Sequence, residues 1–189
     1  MKITSGIAPL LVIAAVIGGY MLFSLPDRPI EQSRPVPAQT KKEFAIASSA
    51  FGNDGEIPLR YTCDGENVSP PLTINNIPEK TKSLVLIMDD PDAPNGTWTH
   101  WVVWDILPEV REIMEGNVPQ WAVEGMTSRD RPGYSGPCPP SGSHRYFFTI
   151  YALDELLRFN NQKTRAELEQ AMVGHLVGQT HFFGRYSRR

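Results

Sequence analysis

The sequence contains few cysteines and, over most of its length, few basic residues. Cys63 and Cys138 are the only two cysteines among 189 residues, so at most one disulfide can form within the chain. Residues 43–189 carry 13 Lys and Arg against 19 Asp and Glu, a formal charge of −6. A domain with this charge repels phosphate backbones, and we therefore expect no nucleic-acid partner.

Two familiar signatures of enzymes and metalloproteins are also missing. No serine stands in a G-x-S-x-G setting, and the histidines show neither H-x-x-x-H nor H-x-H spacing. We therefore expect no catalytic activity, no bound metal and no cofactor. Two alternatives stay open: a hydrolase that uses His100 or His144 as general acid or base beside Asp90, and a metal site built from these same residues.

The chain has one long uncharged stretch, the nineteen residues from Ile7 to Leu25. As a helix rising about 1.5 Å per residue it would span roughly 28 Å, close to the thickness of a bilayer core. No A-x-A-like cleavage site follows it, so we predict an uncleaved anchor, with secretion after signal cleavage as the alternative. A short tail before the span and a large domain after it place the domain outside the cytoplasm, at the cell surface or in the periplasm.

The remaining sequence divides into a linker and one domain. Residues 26–42 contain four prolines among polar residues, which indicates an extended tether. Residues 43–189 have the usual length of a single domain with one core, and they contain no internal repeat. We therefore divide the chain into a membrane segment at 1–25, a linker at 26–42 and a domain at 43–189.

Short apolar or alternating runs, bounded by Pro and Gly, predict that the domain is mainly β. The predicted strands are 44–50, 57–61, 72–75, 83–88, 101–107, 120–126 and 146–153. Residues 83–88 and 145–153 are apolar enough for central strands covered on both faces. One helix is predicted from Arg165 to Val177, with Thr164 and Glu167 as a capping box and Gly178 at its end. His175 is expected at the edge of its packed face.

Two rigid segments bring polar residues next to apolar strands. The first is Asp90-Pro91-Asp92-Ala93-Pro94, followed by Trp98-Thr99-His100, and the second runs from Gly136 to Tyr146. Neighbouring side chains of a strand point to opposite faces, so only one of Asp89 and Asp90 can enter a shared pocket. A carboxylate, two imidazoles and a phenol suit a phosphate or another anion, and a glycine lets backbone N–H groups approach it closely.

These segments, together with Tyr61-Thr62-Cys63-Asp64-Gly65-Glu66-Asn67-Val68-Ser69-Pro70-Pro71-Leu72 and His100-Trp101-Val102-Val103, resemble the phosphatidylethanolamine-binding protein (PEBP) family. The match is to its bacterial and archaeal YbhB/YbcL-like branch and covers nearly all of residues 44–186. The resemblance implies a PEBP-like β-sandwich with a C-terminal helix, here preceded by one transmembrane helix. It also implies a cavity for phosphate-like anions and phospholipid headgroups, lined by Asp90, His100, Gly136, His144 and Tyr146, with Trp98 at the mouth and Cys138 nearby.

The leading hypothesis is a membrane-tethered binding module for a small anionic or phosphate-bearing ligand, without catalytic turnover. Because relatives are associated with inhibition of kinases or proteases, a kinase or protease is a further expected partner. A protease inhibitor that acts through a surface loop is the main alternative. Cys63 and Cys138 lie in loops beside the expected pocket, and outside the cytoplasm we hypothesise that they form a disulfide; the alternative is that both are packing residues.

Overall fold

The computed structural model describes residues 42–159 and 162–188. The predicted membrane anchor at 7–25 and nearly all of the predicted linker lie outside these residues. Within the part of the chain that is described, no helix combines the length and the apolar character needed to cross a bilayer.

The domain is mainly β, as predicted, and its strands form two sheets. The strands are β1 (Ala45–Ser48), β2 (Gly55–Glu56), β3 (Leu72–Asn75), β4 (Ser83–Asp90), β5 (Trp98–Ile106), β6 (Glu112–Ile113), β7 (Val123–Glu124), β8 (Ser143–Leu153) and β9 (Leu176–Ser187). The small sheet has the order β1-β3-β6, and the large one has the order β2-β9-β8-β4-β5-β7. All pairings are antiparallel except that of β2 with β9. A helix, α1 (Arg165–Ala171), and a 3₁₀ turn at Leu59–Tyr61 complete the described elements.

The main core lies between the two sheets, and a second core lies on the other face of the large sheet. Leu84, Leu86 and Met88 of β4 belong to the main core, whereas Val85 and Ile87 join the second core with residues of α1. Strand β4 is therefore apolar on both faces, which explains its unbroken apolar run. Packing on both faces holds β4 in place, and Asp90 is the last residue of this strand.

The C-terminal part of the prediction was only partly right. The capping box of α1 is present, with the Glu167 N–H donating to Thr164 Oγ1 and the Thr164 N–H donating to Glu167 Oε2. The helix, however, ends at Ala171 and not at Val177, and Gly178 lies within β9 and does not end a helix. Strand β9 pairs with β8 along its whole length. This pairing gives hydrogen-bond partners to backbone N–H and C=O groups of β8, which would lack them if the helix continued to Val177. His175 lies in the turn between α1 and β9, partly buried, near Asp154 and Glu155.

One predicted strand is absent, and another is much shorter than expected. Over 57–61 the chain forms the 3₁₀ turn, because Pro58 cannot donate to a strand ladder and the next residues close a turn on its carbonyl group. Over 120–126 only Val123 and Glu124 form a strand, since Trp121 has a φ of 72°, which interrupts an extended backbone.

Candidate functional site

The candidate site lies where three neighbouring strands of the large sheet end or begin. Strand β4 ends at Asp90, and both of its neighbours are antiparallel to it, so β5 and β8 begin beside that end. Asp90 pairs with Trp98 in β5, and Asp89 pairs with Phe147 in β8. The strand order thus brings together two segments that are about fifty residues apart in sequence.

A cavity of about 370 Å³ opens at this edge. The residues that line it are Asp90, Ala93, Pro94, Asn95, Gly96, Trp98, His100, Arg129, Cys138, Pro140 and His144. Asp90, His100 and His144 form its buried end, with 3%, 3% and 7% of their surfaces exposed, whereas Trp98 is 39% exposed at its outer end. Five of the seven residues named from the sequence therefore line one cavity, and the other two, Gly136 and Tyr146, lie behind its wall.

Asp90 holds His144 in a fixed orientation. The His144 Nδ1–H donates to Asp90 Oδ2 at 2.7 Å, and the Asp92 backbone N–H donates to Asp90 Oδ1 at 2.9 Å. Since an ionised carboxylate only accepts hydrogen bonds, the His144 proton lies on Nδ1 and Nε2 is left without a partner among the described residues. Both oxygens of Asp90 are already occupied, so its main role is to orient this imidazole.

A backbone carbonyl group orients His100, as the Asp90 carboxylate orients His144. Its Nδ1 lies 2.5 Å from the Ser135 oxygen, which can only accept, so Nδ1 carries the proton. Burial lowers the pKa of His100, and the ring is neutral at neutral pH. In the neutral form of each ring, Nε2 is therefore an acceptor, and it can donate to an anion only after the ring takes up a proton.

Tyr146 packs directly behind these two rings. Its ring centroid lies 5.2 Å from that of His100, edge to face, and 6.5 Å from that of His144. Burial, followed by the charge of Asp90, raises the pKa of Tyr146 well above its usual value, so the phenol stays protonated. The hydroxyl is buried without a hydrogen-bond partner among the described residues. A buried hydroxyl group without a hydrogen-bond partner is rare in proteins. This one belongs to a ring that packs behind two residues of the cavity lining.

Arg129 also lines the cavity, although it lies outside the segments that the sequence analysis singled out. It belongs to a turn in which Thr127 Oγ1 donates to the Arg131 oxygen at 2.9 Å and accepts from the Arg129 N–H at 3.2 Å. Ser128 joins this turn to β5 through two hydrogen bonds with Thr99, the residue before His100. These hydrogen bonds between residues far apart in sequence bring Arg129 to the cavity.

Gly136 has a different role from the one expected. Its N–H donates to Asn67 Oδ1 at 2.8 Å and is not available to an anion. A Cβ atom at this position would lie 2.5 Å from the Tyr61 oxygen and 2.6 Å from Asn67 Oδ1. Glycine is required here because two loops pack against each other at backbone distance.

The same two loops are joined covalently. Cys63 and Cys138 form a disulfide with their Cα atoms 5.4 Å apart, and the Cys63 N–H donates to the Pro137 oxygen at 3.0 Å. Because Cys138 lines the cavity, the disulfide fixes part of the cavity wall.

Asp89 and Arg145 point away from the cavity, in agreement with the predicted alternation. Asp89 accepts from Thr99 Oγ1 at 2.9 Å and lies 3.1 Å from Nε of Arg165 on the opposite face of the sheet. Arg145 donates two side-chain hydrogen bonds to Asp92, which lower the pKa of that carboxyl group to about 2. Of the two adjacent acids, Asp90 alone reaches the cavity.

Two packed sheets with a cavity at the end of the central strands, whose inner end is buried and polar, define a small-ligand binding module. The chain belongs to the phosphatidylethanolamine-binding protein family, whose model matches residues 47–187. A UPF0098 protein of Methanothermobacter thermautotrophicus is 46% identical over 148 residues, which cover 76% of this chain and 98% of that relative.

Solved structures agree with this assignment. The PEBP homologue CT736 of Chlamydia trachomatis is 38% identical, with a TM-score of 0.74, over 77% of this chain and 98% of its own. Escherichia coli YbcL, a member of the mammalian PEBP family, is 26% identical, with a TM-score of 0.73, over 78% of this chain and 100% of its own. Since these relatives consist almost wholly of this domain, residues 43–189 form a suitable unit for experiments.

Proposed function

We propose that the domain binds a phosphate group, or a similar tetrahedral anion, in the cavity between Asp90, His100 and His144. The observation that carries this proposal is the pair of imidazoles whose Nδ1 atoms are engaged by Ser135 and Asp90. Their unpartnered Nε2 atoms belong to one cavity, beside the charged side chain of Arg129.

The charges of the cavity support a binding role and indicate how an anion would be held. Asp90 is the one carboxylate among the described lining residues, and both of its oxygens are occupied. An anion near the two Nε2 atoms favours protonation of the rings, and each protonated ring then donates a charge-assisted hydrogen bond. The Tyr146 hydroxyl lies behind the rings, makes no hydrogen bond among the described residues and can supply a further donor.

The cellular setting of this binding is also a proposal. The uncharged stretch at 7–25 and the proline-rich residues 26–42 support a domain tethered outside the cytoplasm. A phospholipid headgroup or a phosphorylated or anionic group on a kinase or protease is a suitable ligand there. The negative charge of the domain argues against a nucleic acid.

We predict that the affinity for sulfate falls as the pH rises from about 5 to 8. Sulfate has the shape of phosphate but keeps a constant charge over this range, so any pH dependence comes from the protein. Because burial lowers the pKa of His100, the ring takes up its proton on binding, and the affinity falls by up to tenfold per pH unit for each proton taken up. The other ionisable or charged groups around this ring are Asp90, His144, Tyr146 and Arg129.

Isothermal titration of the 43–189 domain with sulfate and with inorganic phosphate, in buffers from pH 5 to 8, tests the proposal. Binding that weakens with rising pH supports it. A constant affinity would show that neutral groups hold the anion. If neither anion binds at any pH, the cavity is not an anion site, and a surface-loop inhibitor becomes the better hypothesis.

A further inference from the structure

The cavity has more room than a phosphate group needs, and its two ends differ. A volume of about 370 Å³ is within the range of sites for small organic molecules, whereas a phosphate group has only five heavy atoms. The buried end consists of Asp90, His100 and His144, and the outer end contains the half-exposed Trp98 and the exposed Arg129. A ligand whose phosphate occupies the buried end therefore places its substituent beside Trp98 and Arg129.

Arg129 gives this outer end a permanent positive charge. Among the described residues that line the cavity it is the only Lys or Arg, and its guanidinium has no hydrogen-bond or ion-pair partner within residues 42–159 and 162–188. Five of the nine described arginines of the domain are paired with carboxylates; Arg145 with Asp92 and Arg185 with Asp54 are examples. An unpaired guanidinium on a hydrogen-bonded turn beside a cavity is well placed to act on a ligand.

No carboxylate of the lining compensates this charge at the outer end. Asp90 lies at the buried end with both oxygens occupied, and Asp92 is paired with Arg145. Asp130 follows Arg129 in the turn but does not line the cavity. A positively charged substituent at the outer end would therefore face Arg129 without a carboxylate to neutralise it.

We propose that Arg129 is a specificity-determining residue, which makes the cavity favour phosphate esters with neutral or anionic substituents over esters with a cationic substituent such as ethanolamine. This inference rests on the proposed function, because it assumes that the phosphate occupies the buried end. It assigns to this chain a ligand preference that differs from the lipid in the name of its family.

Ethyl phosphate and phosphoethanolamine are a matched pair of probes, since they differ by one terminal ammonium group. Titrations at about pH 7.5 keep both phosphates mainly dianionic, because the second pKa of such esters is about 6. We expect the domain to bind ethyl phosphate about fivefold more tightly, the effect of two like charges about 4 Å apart that are fully exposed to water. In Arg129→Gln this ratio should fall to about one, and in Arg129→Glu it should reverse.

Arg131→Gln is the matched control, because Arg131 belongs to the same turn but does not line the cavity. It removes one positive charge from the domain and should leave the ratio as it is in the wild type. A ratio near one in the wild-type domain, or one that changes equally in Arg129→Gln and Arg131→Gln, would overturn the inference while leaving phosphate binding intact. If the wild type binds neither ester, the proposed function itself fails.

The phosphate ester that occupies the cavity can be a soluble molecule or a lipid headgroup. Vesicles of phosphatidylcholine that contain either phosphatidate or phosphatidylethanolamine distinguish the two sources. A preference for phosphatidate vesicles over phosphatidylethanolamine vesicles that disappears in Arg129→Gln but is kept in Arg131→Gln identifies a lipid as a ligand. Binding of ethyl phosphate without binding to these vesicles restricts the preference to soluble esters.

Discussion

Loss of the disulfide between Cys63 and Cys138 is expected to lower the free energy of unfolding of the 43–189 domain by about 4 kcal/mol. The two cysteines are 75 residues apart. In the chain-entropy model, a bridge across a loop of this length restricts the unfolded chain by about that amount. Urea unfolding of the oxidised wild type and of the double variant Cys63→Ala/Cys138→Ala, followed by circular dichroism, measures the difference.

Reductant provides the control for this experiment. It should lower the stability of the wild type towards that of the double variant and should leave the double variant unchanged. A difference below about 1 kcal/mol between the oxidised wild type and the double variant would contradict the expectation. It would show that the bridge restricts the unfolded chain much less than the chain-entropy model assumes.

The second large effect is expected for His144→Ala, which should destabilise the domain by roughly 3 kcal/mol and weaken phosphate binding at least tenfold. The variant leaves Asp90 Oδ2 buried without its partner, and an unpaired buried carboxylate is costly. It also removes one of the two Nε2 atoms that we assign to the anion. Urea unfolding and titration with phosphate measure the two effects separately.

His181→Ala is a suitable control for this substitution. His181 is an exposed residue of β9 whose ring lies 5.5 Å from that of Phe147, away from the cavity lining. We expect it to change stability by less than about 1 kcal/mol and to leave phosphate affinity unchanged. The double variant Asp90→Ala/His144→Ala should be more stable than His144→Ala, because it removes the unpaired acid. Equal phosphate affinities in His144→Ala and the wild type would show that the anion does not contact this ring.

The central part of the fold could be predicted because its signals are local. The unbroken apolar run of β4 indicates burial on both faces, and strand alternation separates Asp90 from Asp89. Strand β9 was missed for a reason that only the tertiary structure shows. Gly178 and Gly184 look like breaks in a strand, yet a Cβ at Gly184 would lie 2.5 Å from Ile57, so packing across the sheet requires glycine.

Part of the site could also be predicted from local signals in the sequence. Asp90, His100 and His144 stand at strand ends, so the order of the strands brings them together. Arg129 could not be predicted, because its position depends on the pairing of Ser128 with Thr99. The protonated nitrogen of His100 was equally inaccessible, since it is set by the carbonyl group of Ser135, thirty-five residues away in sequence.

The most direct test of the account is the NMR observation of the imidazole nitrogens of His100 and His144 in the ¹⁵N-labelled 43–189 domain during a phosphate titration. The account predicts that both rings carry their proton on Nδ1 in the free domain. It further predicts that the Nε2 signals of both rings shift towards the protonated form as phosphate binds. Nε2 signals that stay unchanged at saturating phosphate, or rings protonated on Nε2 in the free domain, would contradict it.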